Sequence, residues 1–206
     1  MKDFNWAKKE EEQSKDSKSQ HEEKPAPSFI EVVENRIYFY SNVDEDKILQ
    51  LNRNLRKTGI DLQREAMVQT REPVNIHLHI QSSGGNVFAG MAGMDEIVRS
   101  IVPVNTIVDG CCASAATLLS ICGKKRFINQ HAYMLIHQLR SFMWDRKYEE
   151  FKDEMQNLDK IMSMIKRVYA EYTLIPVEKL EEILKHDLWF DANECKEYGL
   201  VDEIIT

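Results

Sequence analysis

Two kinds of nucleophile crowd one short stretch of this chain. Residues 110–120 read GCCASAATLLS, which puts Cys111, Cys112 and Ser114 within four positions. A catalytic thiol or hydroxyl needs a base to take its proton and donors to receive an oxyanion. His137, in MLIHQ, offers an imidazole, and SSGG (82–85) offers a tight turn with exposed N–H groups. Alone, Ser114 would read as a helix N-cap and His137 as a packed histidine. Together they read as a nucleophile, a base and an oxyanion site. The acid that would orient the imidazole is not determined by pattern: Asp187, Asp191, Asp202 and several Glu residues are available.

These residues depend on the elements around them. PVNIHLHIQ (73–81) alternates as a strand and ends in SSGG, and PVNTIVDG (103–110) is a second strand. HAYMLIHQL (131–139) is a third, with His137 near its end. Between them, 87–101 and CCASAATLLSIC (111–122) carry helical spacing, so Ser114 is expected to open an apolar helix. Upstream, NRIYFYSN (35–42) reads as a strand, 45–57 as a helix, and 64–73 as a connecting segment or helix end. Short strand–helix–strand steps imply right-handed βαβ crossovers and a mainly parallel sheet, an α/β fold. Ligand sites in such sheets gather at the C-terminal ends of strands, where Ser114, SSGG and His137 are expected.

Further on, 145–173 places Tyr148, Phe151, Met155, Leu158 and Ile161 at three- and four-residue steps, with more apolar residues behind them. That is a long amphipathic helix, roughly 40 Å at 1.5 Å per residue, expected to project and pack on another subunit. A short helix (176–184) follows, with Pro176 in its first turn. Asp191 and Glu194 form a capping-box pattern, Gly199 suits a left-handed helix end, and LVDEII closes the chain as a strand.

The 206 residues suffice for a single domain, expected over 29–206, preceded by a charged tail over 1–28 with too little apolar surface to order itself. A net charge of −7 with interleaved Lys and Arg argues against a nucleic-acid binder. The four cysteines form no C-x-x-C pair or zinc spacing, so neither a metal site nor a disulfide framework is signalled. The N-terminal stretch has no apolar segment of the kind that marks a secretory signal, and no run is long enough to span a bilayer, so the expected location is cytoplasmic.

Four stretches, SSGGNVFAGMAGMDEI, VDGCCASAATLLSICGKKR, YMLIHQ and HDLWFDANECKEYGLVDEI, in this order and spacing, resemble the proteolytic subunits of the Clp protease family. The resemblance runs from about Asn35 to the C-terminus, with an extra stretch near Thr58 to Glu72. It implies a crotonase-like spiral of βαβ units with a protruding handle, matched here by 145–173. It also implies a serine endopeptidase whose heptameric rings stack in pairs, as a tetradecamer, around a chamber that degrades peptides or unfolded proteins. By that resemblance Ser114 is the nucleophile, His137 the general base and Asp187 the acid that orients it. The backbone N–H groups of Gly85 and Ala115 form the oxyanion hole. The family needs no cofactor or metal in the protease subunit, and a Clp-type ATP-driven unfoldase feeds the chamber. Cys111 and Cys112, without an assigned base, read as small apolar residues behind the turn.

The chain also departs from the family pattern. The family follows its histidine with Gln-Pro and a glycine-rich stretch; here HQLRSFMWDRKYEE has neither proline nor glycine and carries Phe142, Met143 and Trp144. Ser83 replaces a proline, Ala115 a methionine, and His77 and His79 stand where the family often has aromatic residues at its unfoldase-docking pocket. Two other readings follow: a catalytically silent subunit of the same fold in a mixed ring, and an acyl-CoA enzyme of the crotonase fold, which would use acidic catalytic residues. The Ser114, His137 and Asp187 set favours the peptidase.

Overall fold

Alternation along Ile76–Ser82 sets the sheet's two faces. Ile76, Leu78, Ile80 and Ser82 are buried, while His77, His79 and Gln81 turn to the other side. A computed structural model of the chain describes residues 29–141 and 147–206. The predicted N-terminal tail and the Phe142–Met143–Trp144 cluster lie outside those residues.

The chain begins with an antiparallel hairpin, β1 (Phe29–Val33) and β2 (Arg36–Tyr40), of which the sequence pattern indicated only the second strand. Helix α1 (Glu45–Gln69) leads to β3 (Ile76–Ser82), α2 (Val87–Val98) to β4 (Val104–Ala113), and α3 (Ala116–Ile121) to β5 (Arg126–Asn129). Strands β2, β3, β4 and β5 are parallel neighbours in that order, the α/β arrangement expected. β6 (Tyr133–Leu135) follows, then α4 (Tyr148–Tyr172), α5 (Val177–Ile183), β7 (Trp189–Phe190), α6 (Ala192–Glu197) and β8 (Glu203–Ile205), which pairs with β5.

β4 is shared between two neighbours. Thr106–Val108 pair with β5, whereas Cys111–Ala113 pair with β6, which in turn carries β7. Against β3 the register steps, Ile80 facing Val108 but Ser82 facing Cys112, so extra β4 residues bulge between them. The sheet therefore forks at its C-terminal edge. Cys111 to Ala113 are strand here, not the helix expected from spacing, because pairing with β6 outweighs the weak local preference of small residues.

The buried apolar side chains form one contiguous cluster around Phe39, Leu51, Leu55, Ile80, Leu119 and Met134. All six residues of α3 are buried, the polar Thr117 and Ser120 among them. Helix α1 runs on through the 64–69 segment expected to be a connector or helix end. Arg64, Glu65, Ala66 and Met67 are good helix formers, and the helix stops only where Thr70 turns left-handed at φ 52°.

Helix α4 has 25 residues, about 37 Å, within the expected 145–173. Its apolar stripe is covered on the C-terminal side, where Ile165 and Tyr169 are buried. At the N-terminal side Tyr148, Phe151 and Met155 are exposed. Pro176 caps α5 from outside rather than sitting in its first turn. The Asp191–Glu194 capping box is formed, and Gly199 adopts φ 66° behind α6.

Candidate active site

Ser114 stands between β4 and α3 in a left-handed turn, φ 54°, a conformation that costs a non-glycine residue about 1–3 kcal/mol. It is thus neither an N-cap nor the first residue of a helix, as the sequence suggested; α3 starts at Ala116. Neighbouring bonds hold the strained turn. The Ser114 N–H donates to the Leu135 carbonyl at 2.8 Å, tying it to β6. The Ser114 carbonyl accepts from Thr117 N (3.0 Å) and from Thr117 Oγ1 (2.6 Å). Thr117 Oγ1 also meets the hydroxyl of Tyr169, so a buried residue of α4 braces the turn from below. Burial pushes the Tyr169 phenol well above its ordinary value, so it stays neutral.

The glycine loop lies against this turn. Gly84 has φ 97°, and a Cβ there would stand 2.7 Å from Ser114 Cβ and 2.6 Å from the Ala113 carbonyl oxygen. Only glycine permits this backbone to close on Ser114. Gly85, φ 149°, is pressed against Val43 in the same way. Among the described residues, neither Gly85 N–H nor Ala115 N–H donates to a protein acceptor. Both residues line a cavity of about 460 Å³ together with Ser114 and His137. Its apolar walls include Phe88, Leu118 and Ile165.

His137 follows the end of β6 by two residues, on a segment held by Gln138 N–H to the Leu184 carbonyl at 2.8 Å. Its ring is nearly enclosed, and Nδ1 stands 3.6 Å from Asp187 Oδ1. The other oxygen of Asp187 is paired with Arg140, itself a residue of the cavity wall. The remaining aspartates are engaged elsewhere. Asp191 caps α6, and Asp202 binds Arg126 through backbone and side chain. The structure thus brings Ser114, His137, Gly85 and Ala115 to one cavity and places Asp187 behind His137.

The two cysteines of the motif do not compete. Burial pushes the Cys112 thiol far up, and burial raises Cys111 as well, which keeps both protonated and poorly nucleophilic. Cys112 is fully buried, the small packed residue expected.

A second Asp–His pair lies on the opposite face of the sheet. Asp109 accepts from Tyr40 at 2.5 Å and from Asn129 at 3.1 Å, with His79 Nδ1 at 3.0 Å. Tyr38 stacks on His79 with ring centroids 4.6 Å apart. Burial pushes the Asp109 carboxyl upward, but bonds from His79, Tyr40 and Asn129 outweigh it and hold the group below the usual carboxylate range. His79 of NIHLHI therefore belongs to a polar network spanning four strands. Among the described residues, no group of three or more His, Cys, Asp or Glu side chains is placed to hold a metal ion. No helix there is long and apolar enough to cross a membrane.

Sequence reasoning missed Arg140, the Thr117–Tyr169 brace and the role of Gly84 beneath Ser114. Arg140 has no local signature. Its importance comes from a loop that arrives 47 residues later.

Residues 33–206 match the Clp protease family. ATP-dependent Clp protease proteolytic subunits of Triticum aestivum, Sorghum bicolor and Hordeum vulgare are each 36% identical over 130 residues, 62% of this chain and 60% of the relative. The aligned part thus spans 60% of the length of these curated relatives. A ClpP1 mutant from Listeria monocytogenes shares the fold with a TM-score of 0.71 at 24% identity, covering 83% of this chain and 91% of that one. With the family match running from the first β-hairpin to the last residue, the chain belongs to the Clp protease family.

Proposed function

We propose that the chain is a serine endopeptidase that cleaves peptide bonds inside an oligomeric chamber. One observation carries the reading: a serine held at φ 54° shares a cavity with a histidine and two backbone N–H groups that lack protein acceptors among the described residues. Ser114 Oγ attacks the scissile carbonyl carbon while His137 takes its proton. The carbonyl oxygen, now negative, is received by Gly85 N–H and Ala115 N–H, each such donor being worth about 3 kcal/mol. His137 returns the proton to the leaving amine, and water releases the acyl group by the same steps reversed. Asp187 keeps the imidazole oriented throughout.

In this reading the subunits form heptameric rings stacked in pairs, and the exposed Tyr148, Phe151 and Met155 of α4 are a surface for that assembly. A Clp-type ATP-driven unfoldase supplies unfolded protein, and the compartment is the cytoplasm, where four free thiols stay reduced. The second reading, a silent subunit in a mixed ring, is favoured by the 3.6 Å gap from His137 to Asp187 and by Asp187's pairing with Arg140. A fluorophosphonate probe separates the two. Assembled wild type should be labelled and Ser114→Ala should not. Labelling that survives the substitution refutes the nucleophile, and an unlabelled wild type leaves the silent subunit. A solution mass corresponding to a stable monomer would contradict the chamber.

A further inference from the structure

The geometry points to Arg140 as a positioning residue that holds Asp187 against His137. The inference rests on the serine-peptidase reading above. Asp187 lies on the loop between α5 and β7 with its side chain 53% exposed. Among the described residues its carboxylate meets only His137 and Arg140, and no backbone N–H donates to it. A carboxylate on such a loop has no fixed direction of its own, and Arg140 supplies one.

The two contacts are compatible because they use different oxygens. Arg140 takes Oδ2, leaving Oδ1 to face Nδ1 of the imidazole. Arg140 reaches Oδ2 through one guanidinium nitrogen, Nη2, a charge-assisted contact that fixes where that oxygen lies. Arg140 also rides on the segment that carries His137. That segment is bonded through Gln138 N–H to the Leu184 carbonyl, three residues before Asp187, and through Leu139 N–H to Met162 Sδ at 3.3 Å. Imidazole, guanidinium and carboxylate therefore share one local frame. The 3.6 Å separation needs only a few tenths of an ångström to become a hydrogen bond, and catalytic bonds commonly tighten in that way when substrate binds.

Because the Arg140 side chain is 74% exposed, its ion pair adds little to folding, so a variant tests position rather than stability. The experiment measures the rate of Ser114 labelling by a fluorophosphonate, and kcat and KM on a short fluorogenic peptide, with Tm as the folding control. Arg140→Gln should slow labelling and lower kcat about tenfold or more, with KM and Tm unchanged. Arg140→Lys should recover part of the loss. Guanidinium ion added at millimolar concentration should restore Arg140→Ala but not Asp187→Asn. Labelling of Arg140→Gln at the wild-type rate or faster overturns the inference. A change confined to KM does so too, since it makes Arg140 a substrate contact, as does slowing that follows a fall in Tm without guanidinium rescue. Wild type and every variant unlabelled would instead refute the peptidase reading and the inference with it.

Discussion

The molecule contains two Asp–His pairs, and the better made of the two is not the one beside the serine. Asp109 and His79 are 3.0 Å apart, both side chains at most 20% exposed, on adjacent strands with Tyr40 and Asn129 completing the network. Asp187 and His137 are 3.6 Å apart, and the acid comes from an exposed loop. Yet it is the histidine of the second pair that shares a cavity with a serine and with two backbone N–H groups that have no acceptor among the described residues. In the tight pair the carboxylate is held by Tyr40 and Asn129 as well as by His79. The loose pair leaves the imidazole available to a substrate. An Asp–His distance therefore identifies no active site by itself; what surrounds the ring does.

That contrast can be broken experimentally. The largest effect should come from Asp187→Asn set against Asp109→Asn. The first should slow Ser114 labelling by about 10³–10⁴-fold, and the second should leave it unchanged. Equal losses in both would erase the distinction. Next, Gly84→Ala should cost about 1–3 kcal/mol in urea unfolding and reduce labelling with it, because φ 97° and the contact with Ser114 both oppose a side chain.

Asp109→Asn should show its effect in stability instead, about 1–3 kcal/mol near neutral pH. Its carboxyl lies below the ordinary range in the folded state, so its contribution is present above the unfolded pKa of about 3.9. That contribution disappears as the pH falls through the depressed folded value. The gap between wild type and Asp109→Asn, followed by urea unfolding from pH 7 to pH 3, should therefore narrow with acid. A gap that widens would contradict the assignment. The smallest effect should be that of Tyr169→Phe, about 1 kcal/mol, from loss of the brace on Thr117.

Much of the frame was readable in the chain. Alternating apolar residues in IHLHIQS and the strand–helix rhythm pointed to parallel β2, β3 and β4, and D-x-x-E before Gly199 marked α6. The site residues were readable as types and order. Their conformation was not. Cys111 to Ala113 look helical among small residues, and pairing with β6, which arrives later in the chain, and with Ser82 of β3 makes them strand. The left-handed Ser114 follows from that pairing together with the Thr117 bonds. Helix α1 was cut short at residue 57, where Thr58 and Gly59 follow the apolar series Ile48, Leu51 and Leu55, although the helix continues to Gln69. Asp187 emerged from several acids by resemblance, and Arg140 not at all, because an ion pair between a strap and a distant loop leaves no mark on either segment.

Gly84 has one further consequence. With no side chain at that position, the glycine loop and the Ser114 turn are separated only by the hard repulsion of their own backbone atoms. Repulsive walls are steep, whereas attractive contacts are shallow. The two pieces can therefore come no closer than they stand. Atomic radii thus set the least width of the gap between the hydroxyl and the N–H groups.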